Sequence, residues 1–140
     1  MTTGTDLGFA AALVRMTHFV QRVFGEVSRE HALTPQQAQL LCQLVAGPVG
    51  MKDLGHRLNL EKSSLTGLVD RVEKRGLVER VDDPGDRRAC RIQLTGEGAS
   101  LGVKVHDLIT ARLEELAGDV TAGDRKRLAA TISRLLAVQG

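Results

Sequence analysis

The stretch MKDLGHRLNLEKSSLTGLVDRVEKRGLVERVDDPGDRRACRIQL, residues 51–94, changes its apolar period part-way along. Met51, Leu54 and Leu58 share one face of a short helix over 51–58. Asn59-Leu60 is a tight turn. Leu65, Leu68, Val69 and Val72 then recur at three- and four-residue spacing, which predicts a helix over 61–75. Gly76 stands in the glycine position that ends helices. From Leu77 the period is two. Leu77–Val81 reads as a strand, Asp82-Asp83-Pro84-Gly85 as a turn and Ala89–Leu94 as a second strand, a hairpin with a basic tip.

The flanks read as helices. Before the stretch, Leu13, Met16, Val20, Val23 and Val27 mark a helix over 7–31. Thr34, Pro35 and Gln37 supply an N-cap, a first-turn proline and a capping-box partner for a second helix that Gly47-Pro48 stops. After the stretch, Thr95 caps a helix with Leu101, Val105, Leu108, Ile109, Leu113 and Leu116 on one stripe. Thr121 caps a last helix, with Asp124 as its capping-box partner and Leu128, Ile132, Leu135 and Leu136 as its stripe. The fold expected is mainly α with a small β-hairpin wing: a winged helix-turn-helix over 34–94, set between terminal helices. Across residues 1–140 there is no flexible linker or internal repeat to divide the chain.

In a winged helix-turn-helix the second helix of the motif enters the DNA major groove. The wheel of 61–75 turns Ser63, Thr66, Gly67, Asp70 and Lys74 away from the apolar face, with Lys62, Ser64 and Arg71 flanking. Small hydroxylated residues there suit close approach to base edges, and a helix N-terminus favours phosphate. A solvated amphipathic helix is the alternative reading of the same wheel. Charge adds to the first reading. The net charge is +2, and residues 51–91 hold ten Lys/Arg against eight Asp/Glu while the remainder balances. Arg87, Arg88 and Arg91 crowd its end. The chain has no Trp or Tyr, and its three Phe lie in the first helix. Without aromatic platforms for unstacked bases, duplex DNA is the nucleic acid expected.

The run Leu54-Gly55, Leu58, Leu60 to Arg80, the wing Asp82-Asp83-Pro84-Gly85-Asp86-Arg87-Arg88-Ala89 and the following Leu94-Thr95-Gly96-Glu97-Gly98 together resemble the MarR family of bacterial regulators. The resemblance extends to the helix order of nearly the whole chain. It implies a homodimer joined through terminal helices at about 7–31 and 96–138, on a pseudopalindromic operator. It also implies recognition helices in major grooves, Arg88 entering a minor groove and Asp86 holding the wing. Arg87, next in line, suits phosphate. A further implication is a repressor released by a small aromatic or anionic effector, with Arg15, Met16, His18 and Phe19 as candidate lining; the same residues also read as dimer core and surface. Gly55 departs from the alanine usual in the family, at a helix cost of ~1 kcal/mol.

Other chemistries find less support. His18, His31, His56 and His106 have no metal-ligand spacing, so neither metal nor cofactor is expected. Ser63 and Ser64 have no neighbouring His, and no glycine-rich phosphate loop exists, which argues against an enzyme. Cys42 and Cys90 read as small core residues. Redox sensing stays open as an alternative, although redox cysteines in the family usually sit in the first helix, where this chain has none. No apolar run nears the ~18 residues that span a bilayer, and a signal-peptide pattern is missing, so a cytoplasmic protein is expected. A DNA-binding regulator without an effector is the other alternative.

Overall fold

The computed structural model describes residues 6–139; residues 1–5 and 140 of the expected span 1–140 lie outside it. The first helix, α1 (Phe9–Glu30), divides the stripe read from its sequence. Val23 and Val27 are buried, whereas Leu13 and Met16 face outward. The chain turns through Ala32, a left-handed residue at φ 56°, into α2 (Pro35–Leu44). That helix starts on the expected capping box: Gln37 N donates to Thr34 Oγ1 at 3.1 Å, and Thr34 N to Gln37 Oε1 at 3.2 Å. Leu40, Leu41 and Leu44 of α2 are buried, and α2 packs against α1, α3, α4 and α5. It is therefore the centre of the core.

A two-residue strand, β1 (Val49–Gly50), precedes α3 (Met51–Leu58). Two residues carry no period, which is why sequence patterning passes over β1. Asn59 adopts the left-handed conformation, φ 54°, at the end of α3, a state asparagine tolerates better than most residues. Gly55 is explained here. A Cβ on it would stand 3.2 Å from the Leu60 carbonyl oxygen, so glycine lets the turn close over α3, which still keeps its expected length.

The next helix, α4 (Lys62–Lys74), ends in a Schellman motif. Gly76, at φ 76°, donates to Glu73 O at 2.9 Å, and Leu77 N donates to Val72 O at 3.2 Å. Then come β2 (Val78–Asp83) and β3 (Asp86–Leu94), antiparallel, with β3 between β1 and β2 in a three-stranded sheet. Val49 pairs with Ile92, and Val78 with Leu94.

The helix α5 (Gly96–Leu116) begins on Thr95, whose hydroxyl accepts from Gly98 N at 3.0 Å and donates to Gly76 O at 2.6 Å. Val105 and Ile109 enter the core; Leu108 and Leu116 stay outside. The last helix, α6 (Ala122–Gln139), buries none of its residues. Asp124 N donates to Thr121 Oγ1 at 3.1 Å. The reciprocal half of the expected box is not made, because the Asp124 carboxylate pairs with Arg127. Arg125 braces the α5–α6 elbow, donating to Glu114, Ala117 O and Val120 O. No helix among the described residues is long and apolar enough to cross a membrane.

Candidate nucleic-acid interface

The buried face of α4 is the expected one: Leu65, Leu68, Val69 and Val72 are almost wholly covered. Lys62, Ser63, Ser64, Asp70, Arg71 and Lys74 are exposed, and Thr66 and Gly67 partly so. The Thr66 hydroxyl donates to Lys62 O at 2.8 Å. Its proton is committed to its own helix, and its lone pairs are left to accept. A Cβ at Gly67 would meet only the flexible end of Arg71, at 3.3 Å, so the helix surface is low there.

The wing differs in detail from its sequence reading. The strands run on to Asp83 and from Asp86, which confines the turn to Pro84-Gly85 and places Arg87 and Arg88 on β3 rather than in a loop. The register explains their freedom. Asp82 faces Cys90 and Asp83 faces Asp86, so Arg87, Arg88 and Ala89 bulge without partners on β2. Two side chains hold the turn. Gly85 N donates to Asp83 Oδ1 and Arg88 N to Asp86 Oδ1, each at 2.9 Å. Both arginines are exposed. None of Lys62, Arg71, Lys74, Arg87 and Arg88 forms an ion pair among the described residues.

An open cleft of about 970 Å³ separates α3 and the start of α4 from the wing, and Lys62, Thr66 and Arg88 share its lining with His56. Arg80, also on the cleft, is not among the residues that the sequence reading singles out. It donates to Asp70 Oδ1 at 2.6 Å and to Glu73 Oε1, which ties β2 to α4. The hydrogen bond to Asp70 raises its pKa above the ordinary arginine value, against a smaller lowering by burial. Asp70 thus points one carboxylate oxygen at Arg80, although the wheel places it among the outward groups. A signal for this bridge exists in the sequence. Arg80 shares strand parity with buried Val78 and follows two acids spaced i, i+3 on the preceding helix.

The effector candidates are not gathered in the single chain. Arg15, Met16 and His18 are exposed, and only Phe19 packs against the core, beneath Arg22 at 5.5 Å. None of the four lines the cleft described above or the shallow hollow beside Glu26, Arg29, Glu30 and Arg112. Cys42 and Cys90 both pack half-buried against the core, and burial pushes the Cys42 thiol up to about 11.

Residues 31–89 match the sequence pattern of the MarR family. An HTH-type transcriptional regulator of Bacillus subtilis, YsmB, is 39% identical over 94 residues, 65% of this chain and 61% of its own length. The chain therefore spans about three fifths of that relative. The homoprotocatechuate degradative operon repressor of Escherichia coli is 28% identical over 128 residues, covering 91% of this chain and 86% of that one. The crystal structure of a cysteine-to-serine mutant of Escherichia coli MarR complexed with operator DNA superposes with a TM-score of 0.67 at 28% identity, over 89% of this chain and 94% of the other. The helix order, the small sheet and these likenesses agree: the chain has a winged-helix fold and is similar to the MarR family of transcriptional regulators.

Proposed function

We propose that this chain is a sequence-specific, duplex-DNA-binding repressor that acts as a homodimer on a pseudopalindromic operator, in the cytoplasm with the chromosome. The observation that carries the reading is the cleft where Lys62 and Thr66 of α4 face Arg88 of the wing. Short polar groups stand where base edges would lie, and unpaired cations stand where phosphates and a minor groove would lie. Ser63, Ser64, Thr66, Gly67, Asp70 and Arg71 are assigned to the major groove, Lys62, Lys74 and Arg87 to phosphate, and Arg88, on a wing held by Asp86, to the minor groove.

Residues 34–94 form the DNA-reading lobe and the helices over 7–31 and 96–138 the dimer. Every exposed large apolar side chain among the described residues lies within 7–16 or 103–138. Uncovered, so much apolar surface in the two terminal regions of a small chain is unfavourable. A second copy covers it and sets two recognition helices at a fixed spacing.

The effector reading, a small aromatic or anionic compound, is assigned to the same dimer region. Arg15 and His18 stand there beside Met16 and Phe19, offering cation and apolar surface together. Such a compound would act by favouring a DNA-incompetent spacing of the two readers, so operator and effector must weaken each other by the same factor. Calorimetry with and without operator measures that factor; equal effector affinity in both rules the mechanism out and leaves DNA binding standing.

The experiment for the core proposal compares variants across operator, mutated operator, random duplex and a salt series. Thr66→Ala should change the preferred bases and cost ~1–3 kcal/mol on the best site. Arg87→Ala should weaken all sequences alike and flatten the salt slope by about one unit for each phosphate that a wing ceases to neutralise. Arg88→Ala should cost most where A·T-rich flanks narrow the groove. Arginine variants that leave affinity and salt slope unchanged would remove the wing from the interface.

A further inference from the structure

At the far end of α4 from the cleft, Arg75 closes the helix as its C-cap. A single nitrogen of its guanidinium, Nη1, donates to two acceptors, Ala32 O at 2.7 Å and Gln37 Oε1 at 3.0 Å. Both acceptors are held in place by other means. Ala32 is the left-handed residue between α1 and α2, a conformation that non-glycine residues seldom adopt. It turns the chain straight after α1, whose last turn is closed by Leu33 N and His31 N on Ser28 O, at 2.9 and 3.0 Å. Gln37 is buried, and its Oε1 already accepts from Thr34 N in the capping box of α2. Among the described residues these two are the hydrogen bonds that run from α4 and its cap to the region before residue 45.

Resting on the proposed dimeric DNA-binding role, we infer that Arg75 is a positioning residue that locks the recognition helix to the end of α1 and so sets the spacing at which the dimer reads two half-sites. Leu65, Leu68, Val69 and Val72 hold α4 to the core by burial alone, which carries no directional bond. The two charge-assisted bonds are directional, and they act at the end of the lever opposite to the bases. A small rotation of α4 about its buried face would move the N-terminal half in the groove and change the half-site separation the dimer accepts. The left-handed turn at Ala32 and the capping box hold the acceptors still, so the bonds fix the helix and not the loop.

The test uses the full chain and the duplex it enriches from a random pool, with versions carrying one or two base pairs inserted or deleted at the dyad. Wild type should bind the original spacing best. Arg75→Met keeps the aliphatic stem and removes the donors. It should shrink the ratio between best and altered spacings by ~5-fold or more, the lower range of site-to-site coupling. Its thermal midpoint and dimer mass should stay near wild type, since Arg75 is exposed. Arg75→Lys should restore the spacing preference, because one ammonium can serve both acceptors. Equal weakening at every spacing, or an unchanged spacing profile in Arg75→Met, overturns the inference while leaving DNA binding intact. A wild-type chain that enriches no duplex overturns the proposed function and the inference together.

Discussion

At the scale of single residues, the tightest constraint is at Gly98. An added Cβ would stand 1.8 Å from the Leu77 carbonyl oxygen, and that oxygen also accepts from Thr95 N at 3.1 Å. The start of α5 therefore sits directly on the α4–β2 turn, and backbone must move if a side chain is added. Gly98→Ala should lower stability by ~3 kcal/mol or more, at or above the upper range of overpacking, read as a fall in denaturation midpoint; a loss under ~1 kcal/mol would mean the turn yields freely. Thr66 carries a chemical expectation. Its proton serves Lys62 O, so towards a base it is an acceptor, which favours the amino groups of adenine or cytosine. Cys42 carries a negative one. With its thiol pushed up to about 11 by burial from 9.0, little thiolate exists at neutral pH. Burial favours the neutral thiol, so its contribution to stability is complete below pH 9 and is lost as pH climbs towards 11. Iodoacetamide at pH 8 should label Cys42 far more slowly in the folded chain than in denaturant, as read by peptide mass. Equal rates would revive an oxidant-sensing role.

At the scale of elements, Arg80 decides whether helix and wing move as one. It bridges β2 to Asp70 and Glu73 on α4. Exposed ion pairs contribute only ~0–1 kcal/mol to stability, so Arg80→Ala should barely shift the unfolding midpoint. Its effect on DNA should be larger, since two carboxylates beside the reading face lose their counter-charge. Affinity should fall for specific and random duplexes alike, and on random duplex, where a base contact of Asp70 does not count, adding Asp70→Asn with Glu73→Gln should recover most of it; no recovery there would assign Arg80 a direct contact with DNA. The elements themselves are legible in the sequence where chemistry is local. The Thr34 capping box, the glycine stop at Gly76 and the buried face of α4 all follow from fixed spacings. What escapes the sequence is non-local. β1 exists only because Val49 and Gly50 find β3, the bulge at Arg87–Ala89 is set by strand register, and the Arg75 bonds join positions that no period connects. Arg15, Met16, His18 and Phe19 remain ungathered for the same reason, since a face of one chain becomes a pocket only when something covers it.

At the scale of the whole molecule, the two ends of the chain are unfinished. The outer stripe of α1, Leu108 and Leu116 of α5 and the stripe of α6 lie open, while the apolar side chains between residues 31 and 94 are covered well enough that none of the large ones is exposed. The inner faces of α1 and α5 share the core of residues 31–94, whereas their outer stripes and the whole of α6 do not. In the proposed dimer, two copies related by a two-fold axis would complete those helices, and symmetry would then require the DNA to carry the same axis. The chain should therefore run as a dimer at micromolar concentration in light scattering; a monomer at that concentration would contradict the assignment of the terminal helices. Whether paired α4 helices and wings read a duplex with a dyad is decided by selecting bound sequences from a random duplex pool with the full chain. The enriched motif should hold two inverted half-sites about one helical turn, ~10 base pairs, from centre to centre. An enriched motif without a dyad, or no enrichment at all, would contradict that reading.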